Sequence, residues 1–445
     1  MADLPPGPRT PALLQTLQWI RDPVGLMDRC HRAYGSPFTL RLVGMGPMVF
    51  VIDPTVVKAL YTADASHLRA GQANGAVLQA VLGPSSLLIL DEQPHRRQRR
   101  LLMPPFHGRR MRAYGDIVQS AARRASDTWV VGTEVTVQDA ARTLSLEVIL
   151  RAVFGVDEGE RLEAFEEAVG ATLDSLHPSL LFLRFLRLDL GRFSAWGRYR
   201  LRQRRFDALI QGEIDRRRAE TGEPGEDILS LLVAATHEDG SPMSDDELRD
   251  QLSTLLVAGH ETTATGLAWA VRWVLRDPEV LAKLRAELDE LDDDTPPDEI
   301  AKLPYLDAVG KEALRLVPVV PITARLVYEH PFDVGGGYQA GVGHTVAPCI
   351  HLAHRRPAAF EEPERFRPER FLERSYSPFE YMPFGGGARR CIGAALARYE
   401  LNLALAAILR RFDLELVNPE RTAGARRNVT VSPDDETRIR ILGLR

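Results

Sequence analysis

Phe384-Gly-Gly-Gly387-Ala-Arg389-Arg-Cys391-Ile-Gly393 places a single cysteine on a glycine-rich turn, directly ahead of a strongly helical apolar stretch that the pattern predicts over about Ile392 to Arg410. A thiol at the start of that helix faces free N–H groups and the positive end of the helix dipole, and Arg389 and Arg390 add positive charge. The expectation is a lowered thiol pKa and a thiolate ready to bind a metal. Gly387 and Gly393 carry no side chains, so the backbone there can pass close to a flat cofactor, and Phe384 can wall the site from water. Two other loops are ruled out by spacing. A phosphatase-like loop needs arginine six residues after the cysteine, where Ala397 stands, and a G-x-G-x-x-G dinucleotide loop fails because Arg390 occupies the third position after Gly387. A buried, inert cysteine is the remaining alternative.

Working outward, the longest helical segment opens at Ser244-Asp-Asp-Glu247, a capping box, and meets no breaker before Asp277-Pro278. At 1.5 Å per residue it spans roughly 50 Å, enough to cross a domain of this size. Its middle, Leu255-Leu-Val-Ala258-Gly259-His260-Glu261-Thr262-Thr263, inserts a glycine, an acid and two hydroxyls into an apolar run. These residues cost helix stability, and such exceptions concentrate at functional sites. The zinc motif H-E-x-x-H is not completed, since Ala264 occupies the position of the second histidine. A solvated polar notch fits poorly with the apolar flanks.

Two further spacings carry chemistry. Glu312 and Arg315 share a helix face in Lys311-Glu-Ala-Leu-Arg315-Leu, as do His95 and Arg99 in His95-Arg-Arg-Gln-Arg99. Either pair by itself reads as surface charge. Between Arg96 and Arg112 lie seven arginines and no acid, in a chain of net charge −5. Nucleic acid is a poor explanation, because interleaved aromatics are lacking and Pro104-Pro105 interrupt the run. A docking face for a small acidic redox protein, centred on Arg96, Arg97, Arg100, Arg109 and Arg110, fits better; a plain solvated face is the alternative.

The remaining features set the frame. The chain has 445 residues, 44% hydrophobic and 26% charged, without linker, repeat or low-complexity tract, which predicts one globular domain. Three scattered cysteines, Cys30, Cys349 and Cys391, fit a reducing compartment without disulfides, the first two structural. The opening Met1-Ala-Asp-Leu-Pro-Pro-Gly-Pro8 has neither a signal-peptide pattern nor an apolar span, so a cytoplasmic protein is expected. Phe38-Thr-Leu-Arg-Leu42 and Met48-Val-Phe-Val-Ile52, separated by Gly44 and Gly46, read as a hairpin, and most of the rest as helix.

The cysteine loop resembles the F-x-x-G-x-R-x-C-x-G haem-binding loop of the cytochrome P450 monooxygenases at every fixed position, and Ala258 to Thr263 resembles their oxygen-activating segment [AG]-G-x-[DE]-T-[TS]. The resemblance covers essentially the whole chain. It implies a mainly α fold with small β-sheets (α+β), with a β-rich N-terminal lobe over about 35–70 and a helical, haem-binding core over about 71–445. It implies haem b as cofactor and Cys391 as the axial metal ligand. Phe384, Gly387, Arg389 and Gly393 belong to the same cofactor-binding loop, His95 and Arg99 match the family's propionate-binding H-x-x-x-R, and Arg325 is a further propionate candidate. Glu261 and Thr262 become the proton-relay pair. Glu312 and Arg315 become the E-x-x-R pair, locked by an arginine from Pro368-Glu-Arg370-Phe371; Pro363-Glu-Arg365-Phe366 is a near-copy, and distance from the cysteine favours Arg370.

By the same analogy Leu87, Leu88, Leu181, Thr254, Val257, Ala258, Val319, Val320, Thr323, Val429 and Thr430 line the substrate pocket. Nearly all are aliphatic, which implies a hydrophobic substrate (fatty acid, terpenoid or steroid-like), with polar anchoring left to Thr254, Thr323 or Thr430. The wording of Asp227-Ile-Leu-Ser-Leu-Leu232 and Phe106-His-Gly-Arg109 is most similar to cyanobacterial and myxobacterial members that oxidise fatty acids or terpenoids. No flavin or iron–sulfur motif precedes Arg445, so a monomer receiving electrons from a ferredoxin with its reductase, or a flavodoxin-type protein, is expected. A peroxide-using or rearranging haem-thiolate enzyme would typically lack Glu261-Thr262, and a gas sensor would normally carry an output domain.

Overall fold

The structure is a computed structural model that describes residues 4–106, 110–156, 159–220, 225, 227–292 and 294–445. Arg109 lies outside the described residues, and of Arg110 only the backbone is described. Among the described residues helices dominate, and four small sheets flank them.

The organising element is the helix Asp245–Arg276, 32 residues long. Both halves of the expected capping box form: the Ser244 hydroxyl accepts from the Glu247 amide, and the Glu247 carboxylate accepts from the Ser244 amide at 2.9 Å. Three acids in the first turn complement the helix dipole, and Pro278 starts the next helix, Pro278–Asp289. From Gln251 to Val274 most of its residues are buried, so it is enclosed over most of its length. Ala264, Leu267, Ala268 and Val271 pack with Val309 and Ala313 of the helix Pro304–Leu316 and with Leu405 and Leu409 of the helix Ala394–Arg411. Towards its N-terminal end, Leu248, Leu252, Leu255 and Leu256 pack on Leu146, Ile149 and Val153 of the helix Val137–Phe154.

The expected hairpin forms as Phe38–Leu42 against Gly46–Val51, two residues longer at its turn than the sequence pattern drew it. It is the edge of a five-stranded sheet in the order Phe38–Leu42, Gly46–Val51, Thr345–Pro348, Arg325–Val327, Leu68–Arg69. Gly46–Val51 and Thr345–Pro348 run parallel, with Met48 opposite Thr345. The proline-rich N-terminus lies along the hairpin: the Thr39 amide donates to the Pro6 carbonyl at 2.9 Å, and the Thr39 hydroxyl to that of Pro5 at 2.8 Å. A second hairpin, Gly424–Arg427 with Thr430–Pro433, packs against the long helix, where the Trp269 indole donates to the Val431 carbonyl at 2.9 Å. Cys30 and Cys349 are buried core residues, as expected.

Candidate active site

The cysteine loop is a rigid turn built on close backbone approach. Gly387 has φ +64°, and a Cβ there would stand 1.9 Å from the Tyr61 carbonyl oxygen; one at Gly386 would meet the Tyr61 ring at 2.3 Å. The glycines therefore admit the helix Pro54–Thr62 beneath the loop, a reason for Gly387 that lies within the protein and was not expected from the sequence. Gly393 differs, because a Cβ there would meet no protein atom within 4 Å. The Cys391 amide donates to the Phe384 carbonyl at 2.9 Å and closes the loop, and the following helix begins at Ala394 rather than Ile392.

Above this loop the molecule does not close on itself. Ala258 is exposed, and Val257 and Gly259 half-buried, mid-way along a helix otherwise largely buried there, and Gly387, Cys391 and Ala395 are exposed too. Ile392, beside the cysteine, and Val257, beside Ala258, pack into one apolar cluster, so loop and helix border the same gap. Dense protein around the Cys391 sulfur nevertheless pushes the metal-free thiol up; the Gly393 amide, Arg99 and Arg390 oppose this and do not overcome it. The expected lowering of the thiol pKa is thus corrected. Burial outweighs dipole and charge, and a bound cation, which displaces the thiol proton outright, has to supply the difference.

One end of the gap is crowded with positive charge. His95 and Arg99 share a face of the helix Glu92–Leu102, as their spacing predicts. His95 is buried, and its pKa falls to about 3 through burial first, then through Arg389, Arg99 and Arg325. Arg325 is buried beneath the Tyr61 ring and donates to the Ala324 carbonyl at 2.9 Å. Arg389 donates to Asp91 at 2.5 Å and is still pushed down to about 10 by burial. Asp91 also accepts from the Gly71 and Gln72 amides, at 2.7 and 2.9 Å. Three guanidinium groups and an imidazole thus lie within electrostatic reach of one another, and only Arg389 is paired with a carboxylate, Asp91. The surplus positive charge suits a dianionic group lying against the exposed thiol, as the two propionates of haem would supply. Arg99 also acts electrostatically on Cys391, which ties this cluster to the thiol.

The acid–alcohol pair lies on the long helix beside Ala258. Thr262 is half-buried, its hydroxyl donating back to the Ala258 carbonyl at 2.6 Å, a bond that draws on the helix's own acceptor. Glu261 is buried; Arg142 donates to it at 2.8 Å, and Arg427 lies 3.7 Å away. The neighbouring His260 is buried too, and burial followed by Arg142 pushes its pKa to about 3. Arg142 and Asp91 were missed in the sequence, where nothing local marks either; Asp91 reads as an ordinary helix cap.

The structure selects Arg370 over Arg365. Glu312 accepts from Arg315 at 2.7 and 2.9 Å and from Arg370 at 3.1 Å, all three side chains within 2% of full burial. The Arg365 side chain reaches only the exposed Glu362, at 3.2 Å. Arg315 donates to the His354 carbonyl at 2.8 Å, and the His354 ring accepts from the Met382 amide at 2.9 Å, two residues before Phe384. A chain of buried polar contacts therefore runs from the ion cluster to the cysteine loop.

The expected pocket residues divide. Leu88, Val257, Ala258, Val320, Thr323 and Val429 keep surface open, whereas Leu87, Leu181, Thr254, Val319 and Thr430 are buried in the walls behind them. The three expected polar anchors are already bonded: Thr254 to Ser86 at 2.7 Å and the Asp250 carbonyl at 2.6 Å, Thr323 to Tyr61 at 3.1 Å, Thr430 to the Arg427 carbonyl at 2.8 Å. The expected docking arginines are also less free than their sequence suggests. Arg96 lies 3.7 Å from Asp64, Arg97 lies 3.7 Å from Asp239, and Arg100 pairs with Glu238.

A helical fold crossed by one long helix, with an exposed cysteine on a braced loop and a cationic end suited to propionates, defines a haem-thiolate oxygenase. The Cytochrome P450 family model matches residues 5–434, and the chain belongs to that family. A putative cytochrome P450 135B1 of Mycobacterium tuberculosis is 40% identical over 453 residues, covering 99% of this chain and 92% of that protein. A putative cytochrome P450 138 of the same organism is 34% identical, covering 98% and 96%. Among solved structures, the retinoic acid-bound cyanobacterial CYP120A1 superposes with a TM-score of 0.86 at 25% identity over 100% of both chains. The cytochrome P450DA haem domain gives 0.85 at 27% identity, covering 100% of this chain and 98% of that one. The protein is accordingly a haem-dependent monooxygenase. Among the described residues no helix is long and apolar enough to cross a membrane.

Proposed function

We propose that this enzyme inserts one oxygen atom from dioxygen into a hydrophobic small molecule, with electrons delivered by a separate ferredoxin- or flavodoxin-type protein, the chain acting as one unit in the cytoplasm. The observation that carries the substrate class is the lining of the gap: Leu88, Val257, Ala258, Val320 and Val429 are aliphatic, and the nearby hydroxyls are spent on protein partners. Such a surface holds its ligand by shape and by exclusion of water.

Cys391 would ligate the iron, and His95, Arg99, Arg325 and Arg389 would hold the propionates. Bound haem supplies activation of dioxygen and transfer of one oxygen atom, the second leaving as water at the cost of two electrons and two protons. The protein's part is proton supply and positioning. Thr262 would turn its hydroxyl from the Ala258 carbonyl towards the gap, and Glu261, held by Arg142, would replenish the proton. Glu312, Arg315 and Arg370 would brace the loop and keep the sulfur in register. Screening apolar acids, terpenes and sterols by the shift of the Soret band, followed by product analysis with dioxygen plus a surrogate reductase or with peroxide alone, tests this reading. Turnover with peroxide and none with dioxygen would overturn it.

A further inference from the structure

Among the described residues Arg426 is a half-buried cation without an anion. It stands on the strand Gly424–Arg427, in register with Val431, and its guanidinium carbon lies 5.1 Å from the ring centres of both Trp19 and Phe182. Among the described residues its one hydrogen bond runs from Nη1 to the Asn428 carbonyl at 3.1 Å, while Nε is buried without an acceptor. Burial alone pushes its pKa down to about 10, with no neighbouring carboxylate opposing the fall. Arg427 beside it shows the contrast, with Glu436 at 2.8 Å and Glu261 at 3.7 Å. The Asn428 side-chain oxygen is likewise buried and unpartnered.

The position gives this cation a use. Trp19 and Phe182 belong to one apolar cluster with Leu181, Leu88, Val257 and Val429, so the guanidinium is set into the same wall that leads along the gap to Ala258. Its end of the cluster is the outer one: the helix Ala12–Arg21 that bears Trp19 shows Leu13, Leu14 and Leu17 to solvent, and Phe185 and Leu188 are exposed just beyond Phe182. Two aromatic faces hold the cation in place and leave its edge for an in-plane partner. Because folding has already stripped water from Nε and the aromatic-covered faces of the guanidinium, an arriving carboxylate meets a partner with less hydration to lose than a surface arginine. The three threonines near the gap offer no comparable anchor.

We propose that Arg426 is a carboxylate subsite, and that the substrate is an apolar chain or ring system ending in a carboxylate, bound acid-end at Trp19–Phe182 and apolar-end towards Ala258. This rests on the apolar-substrate reading above and narrows it. The bond oxidised is then remote from the carboxylate.

The test uses the haem-loaded enzyme and three probes of one chain length, myristic acid, methyl myristate and 1-tetradecanol, titrated by the Soret shift. The acid binds about tenfold to a hundredfold more tightly than the ester or the alcohol, the range for one added charge-assisted hydrogen bond. Arg426→Gln abolishes that preference and leaves ester affinity within about twofold; Arg426→Lys, which keeps the charge, retains part of it. Equal binding of acid and ester by the parent, or an undiminished preference in Arg426→Gln, overturns the subsite while leaving the apolar-substrate reading standing. If Arg426→Gln fails to fold, equal acid and ester affinities in Arg426→Lys overturn it too. No Soret response to any of the three probes in the parent sinks both readings for chain-like ligands.

Discussion

Cys391→Ser exchanges a soft thiolate ligand for a hydroxyl with little affinity for iron and leaves the loop's backbone bonds intact, including that from the Cys391 amide to Phe384. The variant is expected to fold and to lose the red-shifted ferrous carbon monoxide band of a thiolate haem; a spectrum matching the parent's would exclude Cys391 as ligand. Thr262→Ala removes the half-buried hydroxyl that bonds to Ala258. Haem and substrate binding should persist while reducing equivalents drain to peroxide, by about a hundredfold relative to product, the low end for loss of a proton-transfer group. Unchanged coupling of electrons to product would remove Thr262 from the relay. Glu400, deep behind the loop, is hydrogen-bonded to Ser145 and has its Oε1 unpartnered; burial pushes its pKa from an ordinary 4.5 up to about 8. The folded chain therefore keeps a proton that the unfolded chain releases between those values, so stability is full below the lower one and falls as pH rises through the upper. The slope is at most about 1.4 kcal/mol per pH unit. Glu400→Gln should flatten the urea midpoint across that range, and parallel pH profiles of parent and variant would show the carboxyl to be ionised in the fold.

At the scale of elements, the ion cluster Glu312–Arg315–Arg370 joins the helix Pro304–Leu316 to the segment that leads to the cysteine loop. Removing its single acid leaves two buried guanidinium groups facing only carbonyls. Glu312→Ala is expected to cost roughly 3–5 kcal/mol in denaturant unfolding, with haem retention falling in parallel. A loss below about 1 kcal/mol would mean that the carbonyls of His354, Pro363 and Arg365 carry the arginines unaided. The long helix shows how an element can be legible and its orientation not. Its capping box, its length and its terminating proline lie in neighbouring residues, so its bounds could be read directly. That Ala258 opens onto a gap while Ala264 is sealed depends on what packs opposite.

For the whole molecule, association with an electron donor depends on net local field rather than on a count of arginines. Arg96 and Arg100 are exposed but lie beside Asp64 and Glu238, so the basic face is weaker than seven arginines suggest. Reversing both to glutamate would turn the patch clearly acidic. Stopped-flow reduction by an acidic ferredoxin should then slow by about tenfold at low salt and lose its salt dependence, with substrate binding unchanged. An unaltered rate and salt slope would place the donor elsewhere on the surface.

Features whose cause is local were legible from the order of residues. Cys391 in its glycine loop, the Glu261–Thr262 interruption, the His95–Arg99 and Glu312–Arg315 faces and the first hairpin each rest on spacing along one chain segment, where dihedral preference and helical period dictate geometry. Tertiary structure alone decided what depends on distant partners. Burial overrode the helix dipole at Cys391, and Tyr61 explained Gly387. Arg370 was chosen over its near-copy, and Asp64, Asp239 and Glu238 damped the arginine cluster. Arg426, one of two adjacent arginines in the sequence, became, among the described residues, the half-buried cation without an acid because only the folded chain puts Trp19 and Phe182 around it and Glu261 beside its neighbour. Desolvation and charge pairing are properties of the packed interior, and no spacing along the chain encodes which side chains will share it.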